Sequence, residues 1–262
     1  MIDWAVDIPE NAWKLANAFW PGPLTLILKR HPSVPKIVTG GQDTVALRVP
    51  NHPLTLTLLS QFGGGIAAPS ANRYGRISPT TADHVKKALG SDVDYILDGG
   101  PCTIGIESTI VSLVDLSPII LRQGSLSPLE LSKILGEKLS DKKELSTIKV
   151  PGSSQSHYAP HQPLYLLEKE QLLAALSQFS RENKTSSVLS FSEKPVAASF
   201  LIATWICMPS YPKDCAHEIY QNLHLLDKTQ SDCILVEMPP QTSDWLAITD
   251  RLKRAATKPG SH

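Results

Sequence analysis

The spacing of apolar residues in the first half of the chain predicts helices and strands in turn. Helical spacing marks residues 9–19, an amphipathic helix with Trp13, Ala16 and Phe19 or Trp20 on one face. It also marks residues 53–62, which run into three glycines. Two further helices are expected to begin after the capping residues Thr81 and Ser127. Short apolar runs bounded by glycine, proline or polar residues predict strands at 24–28, 44–49, 66–68, 95–98, 108–115 and 118–125.

The second half of the chain shows a more regular alternation. Residues 137–162 are polar, charged and interrupted by proline and glycine, as is typical of an interdomain linker. Beyond them, apolar strands alternate with amphipathic helices, which indicates a small parallel-sheet α/β layer. We therefore predict a first domain at 1–138, a linker at 139–162 and a second domain at 163–262.

The composition is that of a soluble globular protein. Lys and Arg total 25, as do Asp and Glu, so the chain lacks the basic surplus of proteins that hold long nucleic acids. The N-terminal residues do not resemble a secretory signal, and no run reaches the roughly 18 apolar residues of a membrane span. The four cysteines form no C-x-x-C pair. We therefore expect a cytoplasmic protein without a zinc or redox motif and without a membrane partner.

The segment Ala68-Pro69-Ser70-Ala71-Asn72 provides the most informative candidate chemistry. Small residues let a ligand approach the backbone, and Ser70 and Asn72 lie two apart, so they project to the same side of an extended segment. Their hydroxyl and carboxamide offer donors and acceptors to a small polar ligand. The alternative is a turn in which both side chains bond their own backbone.

Two arginines and a serine are further candidates. Arg122 follows a buried strand and faces a Gly-Ser turn, and its guanidinium suits a phosphate or carboxylate. Arg48 shares a predicted strand face with Thr44, where a charge between apolar neighbours indicates a wet cleft or a buried partner. Ser108 precedes an apolar strand. The structural alternatives are an exposed arginine at a strand end for Arg122 and a strand-entry cap for Ser108.

The common short catalytic motifs are not found. The sequence contains no phosphate-binding loop, no dinucleotide-binding fingerprint and no H-E-x-x-H motif. Spacing alone does not assemble a Ser-His-Asp triad from its histidines. Residue patterns therefore lead only as far as an α/β protein with a polar, glycine-rich cleft.

Five blocks of the chain, taken in order, carry a family resemblance. They are FWPGPLTLIL (19–28), TGGQDTVALRVPNHP (39–53), AAPSANRYGRISPTTADHV (67–85), ILDGGPCTIGIESTIV (96–111) and ILRQGSLSP (120–128). Together they resemble the YrdC-type domain of the threonylcarbamoyl-AMP synthases. The segments SHYAPHQPL (156–164) and CILVEMPP…DRLKRAA (233–256) are similar to the two-domain branch. The resemblance implies an α/β fold, with a twisted mixed sheet and flanking helices followed by a small Rossmann-like parallel α/β domain.

The resemblance also implies a set of ligand contacts. L-threonine contacts are implied for Arg48, Ser70 and Ser108. Nucleotide contacts are implied for Thr44, Asn72, Thr80, Arg122 and His157. His157 lies in an H-Y-A-P linker that covers the nucleotide as a lid in the family. No covalent, acid-base or metal-binding side chain is implied.

The implied reaction is adenylyl transfer. L-threonine, bicarbonate and ATP, the last with Mg²⁺, would give threonylcarbamoyl-AMP and pyrophosphate for threonylcarbamoyladenosine modification of tRNA. Such chemistry depends on positioning and charge neutralisation. The implied partners are tRNA-modification proteins that receive the adenylate, and weak binding of RNA, including double-stranded RNA, is a further expectation.

Two departures from the family pattern keep alternatives open. The P-T-[DE]-T-x-Y-G-L-like and K-x-R motifs are not found, so roughly a quarter of the family's length is expected to be missing. Exposed apolar surface and unpaired strands should result. One alternative is a catalytically impaired nucleotide- or RNA-binding fragment, with a basic patch at Arg73, Arg76, Lys86 and Lys87. Another is a carbamoyl-transfer enzyme of metallocentre maturation, although the cysteine pairs of those relatives are not found here.

Overall fold

The computed structural model describes residues 1–139, 147–152, 158–195 and 200–257. The strands of this part of the chain are β1 (Ala5–Val6), β2 (Leu24–Arg30), β3 (Thr44–Leu47), β4 (Thr109–Ser112), β5 (Ile119–Arg122), β6 (Leu164–Leu167), β7 (Ser186–Ser190), β8 (Ile202–Cys207) and β9 (Cys233–Glu237). The α-helices are α1 (Glu10–Phe19), α2 (Pro53–Phe62), α3 (Ala82–Leu89), α4 (Pro128–Leu135), α5 (Lys169–Arg181), α6 (Pro212–Asp227) and α7 (Leu246–Ala255). None of the described helices is both long and apolar enough to cross a membrane.

The chain divides into two compact units that do not follow its order. The first unit comprises Met1–Pro69 and Glu107–Ser153, and the second comprises Ser70–Ile106 and Ser154–His262. Residues 70–106 therefore group with the C-terminal part of the chain. The domain boundaries at 138 and 163 remain a prediction.

The first unit contains a mixed sheet centred on β2. Strand β2 is antiparallel to β1 and β3 and parallel to β4, which is antiparallel to β5. Alternation along β2 places Leu24, Leu26 and Leu28 in one core with α1 and α4. Ile27 joins a second, smaller core that includes Val150. The sheet thus has helices packed on one face, and its other face bears the side chains considered below.

Local signals define several helix ends. Helix α2 begins at Pro53 and stops before Gly63, whose φ of 70° is left-handed. Helix α4 begins after the predicted cap Ser127, where Ser127 and Glu130 form a capping box by bonding each other's backbone N–H groups at 3.2 and 2.8 Å. Thr81 caps α3 by accepting the His84 N–H at 3.2 Å. These helices were predicted from the same residues.

Three expectations about the first half of the chain are wrong. Trp13 is 42% exposed, although Ala16 of the same predicted face is buried, and α1 also buries Ala12 and Leu15. The segments 66–68 and 95–98 are not strands, because neither pairs with a strand in the described chain. A strand needs a hydrogen-bonding partner, and β-propensity alone does not provide one. The expected exposed apolar side chains are present, among them Leu54, Leu58, Phe62, Ile66, Tyr95 and Leu97.

The second unit contains an all-parallel sheet in the order β6-β9-β7-β8. Val188 and Leu235 pack with α5 on one face, whereas their neighbours Leu189 and Val236 pack with α6 and α7 on the other. This arrangement confirms the small parallel α/β layer, and with the mixed sheet of the first unit it confirms the α/β fold class. Ile77 and Ile106 join the core beneath α6, which explains why 70–106 groups with this unit.

Candidate functional site

The predicted site residues, together with Thr25 and His84, which the structure places in contact with them, fall into two groups, one in each unit. The strand cluster lies in the first unit and comprises Thr25, Thr44, Arg48, Ser108 and Arg122. The loop cluster lies in the second unit and comprises Ser70, Asn72, Thr80 and His84. The predicted lid residue His157 lies outside the described residues.

Strand β3 presents one face to the core and the other to solvent, as its alternation predicts. Val45 is 6% exposed in the core, whereas Thr44 is half-buried and Ala46 is exposed. Arg48 follows the end of β3, and its Nε donates to the Gly22 carbonyl at 3.0 Å. Desolvation by neighbouring atoms lowers the pKa of Arg48 from its ordinary value, although its side chain still reaches solvent. This open face can receive a carboxylate.

Arg122 and Ser108 are buried together at the end of the β4–β5 pair. The Nε and Nη2 of Arg122 donate to the Ser108 carbonyl at 3.1 and 3.0 Å, and Nη2 also reaches the Ser108 hydroxyl at 3.1 Å. Nη1 donates to the Pro151 carbonyl at 3.1 Å. Because Ile110 pairs with Arg122 across the two strands, the antiparallel register brings the arginine close to Ser108. The contacts seen here make Arg122 a support for Ser108.

Thr25 completes the strand cluster and was not singled out in the sequence. Its Oγ1 lies 2.7 Å from the Ser108 Oγ. The signal was available, because Thr25 is the polar residue between Leu24 and Leu26 in a strand whose leucines face the core. Ser108 therefore has a hydroxyl on one side and a guanidinium on the other.

The side-chain amide of Asn72 in the loop cluster has a hydrogen-bonded nitrogen and an oxygen without a donor among the described residues. Its Nδ2 donates to the carbonyls of Arg76 and Arg73 at 2.8 and 3.2 Å, which fixes the orientation of the amide. The alternative of a turn in which the side chains bond nearby backbone is therefore correct for the Asn72 nitrogen. The Oδ1 is shielded from solvent, and no described residue donates a hydrogen bond to it. A buried acceptor of this kind calls for a donor, which a ligand can provide.

Thr80 is 4% exposed and is bonded to its surroundings at three atoms. Its N–H donates to His84 Nδ1 at 3.3 Å, and its Oγ1 lies 3.2 Å from the same nitrogen. Its carbonyl accepts the Cys102 N–H at 2.9 Å. Ser70, by contrast, is exposed at the start of the loop.

His84 stacks on His224, which sequence reasoning missed. The ring centroids are 3.8 Å apart, and the planes differ by 28°. Desolvation lowers the pKa of His84 to about 4 and also lowers the pKa of His224, so both rings are neutral at pH 7. The two histidines lie 140 positions apart, so no local pattern could have paired them.

The donor set of these clusters suits an anion or a small polar ligand. The described residues contain no group of three or more His, Cys, Asp or Glu side chains that could hold a metal ion. In the candidate basic patch, Arg73 pairs with Asp92, and Arg76 donates to the Pro160 carbonyl at 3.1 Å. Lys86 and Lys87 are exposed. The patch thus presents less available positive charge than the sequence suggests.

A mixed sheet with an arginine-hydroxyl cluster, combined with a parallel α/β layer, defines a two-domain α/β protein that is equipped for anionic ligands. Residues 1–124 match the Sua5–YciO–YrdC family, described as telomere recombination, and residues 126–257 match the family of the threonylcarbamoyl-AMP synthase C-terminal domain. The chain belongs to the threonylcarbamoyl-AMP synthase family. Members are enzymes of the nucleotidyltransferase type that serve threonylcarbamoyl modification of tRNA.

Relatives from all three domains of life share most of this chain. The threonylcarbamoyl-AMP synthase of Pyrococcus abyssi is 35% identical over 96% of this chain and 75% of its own length. The Bacillus subtilis enzyme is 37% identical over 95% of this chain and 73% of its own. The Schizosaccharomyces pombe enzyme is 34% identical over 95% of this chain and 67% of its own.

A solved structure agrees with this assignment. The crystal structure of P. abyssi Sua5 complexed with L-threonine superposes with a TM-score of 0.83 at 32% identity. The match covers 97% of this chain and 76% of that protein. It supports the two-domain architecture as well as the fold of each part.

Proposed function

We propose that this chain forms threonylcarbamoyl-AMP and pyrophosphate from L-threonine, bicarbonate and ATP. The observation that carries the proposal is the structural similarity of this chain, at a TM-score of 0.83, to a Sua5 solved with L-threonine. The strand and loop clusters supply donor groups suited to these substrates. The product would serve as the activated donor for threonylcarbamoyladenosine modification of tRNA.

The strand cluster is the part that we assign to L-threonine. The Arg48 guanidinium has the planar fork that pairs with a carboxylate. Ser108 can bond a polar group of threonine, because Thr25 and Arg122 fix the orientation of its hydroxyl. Ser70, exposed at the start of its loop, is a third threonine contact.

The nucleotide is assigned mainly to the loop cluster. The Oδ1 of Asn72 can accept a hydrogen bond from a nucleotide donor, which would satisfy the buried acceptor. Thr44, on the open face of β3, and Arg122 are assigned to the nucleotide and its phosphates. Thr80 contributes from the end of the loop, and His157 contributes from the linker.

The proposed chemistry needs no covalent enzyme intermediate. The threonine amine attacks the carbon of bicarbonate, and loss of water leaves a carbamate. A carbamate oxygen then attacks the α-phosphorus of ATP, while the bond to the β-phosphate oxygen breaks and pyrophosphate leaves. The chain's own part is to orient the carbamate towards the phosphorus and to balance the growing negative charge.

Mg²⁺ is proposed as a companion of ATP. The triphosphate itself offers the oxygen ligands that Mg²⁺ prefers, whereas the two clusters offer mainly donors. When bound, the ion would neutralise charge on the departing pyrophosphate. Of the described residues, none needs to serve as a dedicated metal ligand under this proposal.

We place the reaction in the cytoplasm, next to proteins that transfer the threonylcarbamoyl group to tRNA. Cys102, Cys207, Cys215 and Cys233 are all unpaired thiols, the state that a reducing compartment maintains. The adenylate is a mixed anhydride and reacts readily with water, so a nearby acceptor protein would limit its loss.

Pyrophosphate release tests the proposed reaction. The protein is incubated with ATP, Mg²⁺, L-threonine and bicarbonate, and each substrate is omitted in turn. We expect release that requires all three substrates and that falls sharply in Asn72→Ala. Release without threonine would contradict the proposal.

Ligand binding provides a second test that does not depend on turnover. We expect L-threonine, but not D-threonine, to raise the melting temperature, and Arg48→Ala to abolish the shift. Arg48→Lys should recover only part of it, because an ammonium cannot form the bidentate pair. An equal shift in Arg48→Ala would remove Arg48 from the threonine site.

A binding module without catalysis is the competing function, with weak RNA binding as its activity. The engagement of Arg73 by Asp92 and of Arg76 by Pro160 argues against a strong basic patch. A salt-dependent gel shift with tRNA distinguishes the two functions. A shift at low salt that is lost in Lys86→Ala with Lys87→Ala would favour the binding module, provided that pyrophosphate release is also missing.

A further inference from the structure

One face of α6 carries four side chains that contact other parts of the second unit. These residues, here called the α6 stripe, are His217, Tyr220, His224 and Asp227. Their spacing of three, four and three positions places them along one side of a helix. Because α6 spans Pro212–Asp227, the stripe covers most of the helix.

Two members of the α6 stripe contact the segments that surround Thr80. His224 Nε2 lies 3.1 Å from the Ser78 carbonyl, and its ring stacks on His84. His217 Nε2 lies 3.1 Å from the carbonyl of Cys102, the residue whose N–H bonds Thr80. A carbonyl only accepts, so each of these Nε2 atoms carries a hydrogen and donates a hydrogen bond.

The other two members contact the end of the H-Y-A-P segment. The Tyr220 ring lies 5.4 Å from the ring of Tyr158, which is 1% exposed. Asp227 accepts the His161 N–H at 2.6 Å, and its other oxygen lies 2.7 Å from His161 Nδ1. The stripe therefore contacts the loop and the linker end alternately along its length.

Close backbone packing fixes the position of α6 against the loop segments. A Cβ on Gly105 would lie 2.3 Å from the carbonyl oxygens of both Ala216 and His217. Only a glycine allows this approach, and its φ of 88° also favours glycine. Ile106 is buried in the core beneath α6.

We propose that α6 is the positioning element of the loop cluster and that His224, acting through His84 and Ser78, sets the position of Thr80. An effect of α6 on catalysis rests on the proposed function, which assigns the loop cluster to the nucleotide. His84 presents an unprotonated Nδ1 to the Thr80 N–H, and His224 supports His84 by stacking on its ring face. The C-terminal domain then contributes to the nucleotide site through α6.

Substitutions of His224 separate its two contacts. His224→Gln keeps a donor near the position of Nε2 but lacks the ring, whereas His224→Phe keeps a ring but lacks the donor. His84→Asn keeps an acceptor near the position of Nδ1 and removes the stack. Leu225→Ala is the matched control, because Leu225 is the next residue of α6 and is 46% exposed.

Hydrogen exchange provides the structural readout. We expect the Thr80 and Cys102 amides to exchange about tenfold faster in His224→Ala, with partial recovery in His224→Gln and no change in Leu225→Ala. Unchanged exchange of both amides in His224→Ala and His84→Asn would overturn the proposal. If His224→Ala unfolds the unit, His224→Gln and His84→Asn decide the outcome by the same measurement.

Steady-state kinetics provides the functional readout. We expect His224→Ala to raise the KM for ATP about tenfold while the KM for L-threonine changes less than about twofold. An equal rise in both KM values, or a fall in kcat alone, would contradict the positioning role. If the unsubstituted protein forms no threonine-dependent pyrophosphate, the proposed function fails, and the exchange data still decide whether α6 positions Thr80.

Discussion

The strand cluster and the loop cluster are held in place by different means. In the strand cluster, Arg122 ends β5 and Ser108 directly precedes β4, and their contacts follow from the register of these two strands. In the loop cluster, Thr80 lies outside the strands of the described chain and contacts His84, which stacks on His224. A site on a sheet inherits its precision from the backbone ladder, whereas a site on a loop needs a second element to fix it.

The largest loss of stability is expected from removing the buried guanidinium of Arg122 from the strand cluster. Arg122→Met leaves the Ser108 and Pro151 carbonyls without their donors, and we expect unfolding to be easier by about 3 kcal/mol. Arg48→Met removes one bond at an exposed position and should cost less than about 1 kcal/mol. The midpoints of urea unfolding of the two variants measure this difference. Similar midpoints would show that Arg122 is not a structural support.

The next effect comes from a matched pair of glycines, one beside each cluster. A Cβ on Gly124 would lie 2.3 Å from the Thr109 nitrogen, and one on Gly105 would meet the α6 carbonyls at the same distance. We expect each alanine variant to lose at least about 2 kcal/mol. Gly100→Ala is the control, since its φ is 84° but nothing lies within 4 Å, and it should lose about 1 kcal/mol.

Hydrogen exchange in these variants shows which glycine supports the position of Thr80. Gly105→Ala should speed exchange of the Thr80 amide, whereas Gly124→Ala should leave it unchanged. The reverse pattern would mean that the loop cluster depends on the strand cluster and not on α6.

Of the two clusters, only the loop cluster should lose stability through protonation of His84 as the pH falls. The folded-state pKa of His84 is about 4, below its ordinary value of 6.5, so protons bind more readily to the unfolded state. The stability that His84 contributes is therefore complete above pH 6.5 and is lost as the pH falls towards 4. The charged groups that act on the histidine pair are Lys87, Lys228, Asp83 and Asp227.

Thermal unfolding across this pH range tests the titration. We expect the melting temperature of the unsubstituted protein to fall more steeply between pH 6.5 and 4 than that of His84→Asn, which lacks the titrating ring. Parallel curves would exclude His84 as the group responsible. Arg122 does not titrate in this range, so the strand cluster should not contribute.

The smallest effect concerns the surface of the loop. Arg73 and Asp92 form an ion pair in which the side chains are 63% and 53% exposed. Arg73→Gln should change the free energy of unfolding by less than about 1 kcal/mol and leave Thr80 exchange unchanged. A larger loss of stability would show that the ion pair helps to fix the loop.

Local residue chemistry was enough to predict much of the secondary structure. Pro53 and Gly63 bound α2, and Ser127 with Glu130 defines the start of α4, because each signal lies within a few residues of the helix end. The strand predictions at 66–68 and 95–98 failed because a strand is defined by its neighbours. Trp13 was placed on the wrong face of α1 because a ten-residue helix offers few apolar positions to fix its orientation.

The sequence predicted the surroundings of single residues better than the contacts between them. The alternation of β3 correctly placed Thr44 and Arg48 away from the core. The pairing of Arg122 with Ser108 could have been inferred from the β4–β5 hairpin, since the residues are 14 apart. The stack of His84 on His224 could not, because it depends on how 70–106 packs against α6.

The geometry of α6 limits where this chain can accept an insertion or a deletion. Each residue turns an α-helix by about 100°, so inserting or deleting a single residue between His217 and His224 would rotate one of them away from its carbonyl. A whole two-turn insertion would restore the direction but shift the contact by about 10 Å along the axis. Neither change can be absorbed while Ser78 and Cys102 stay where they are. Helix α6 should therefore tolerate substitutions along its outer side but not gaps between His217 and His224.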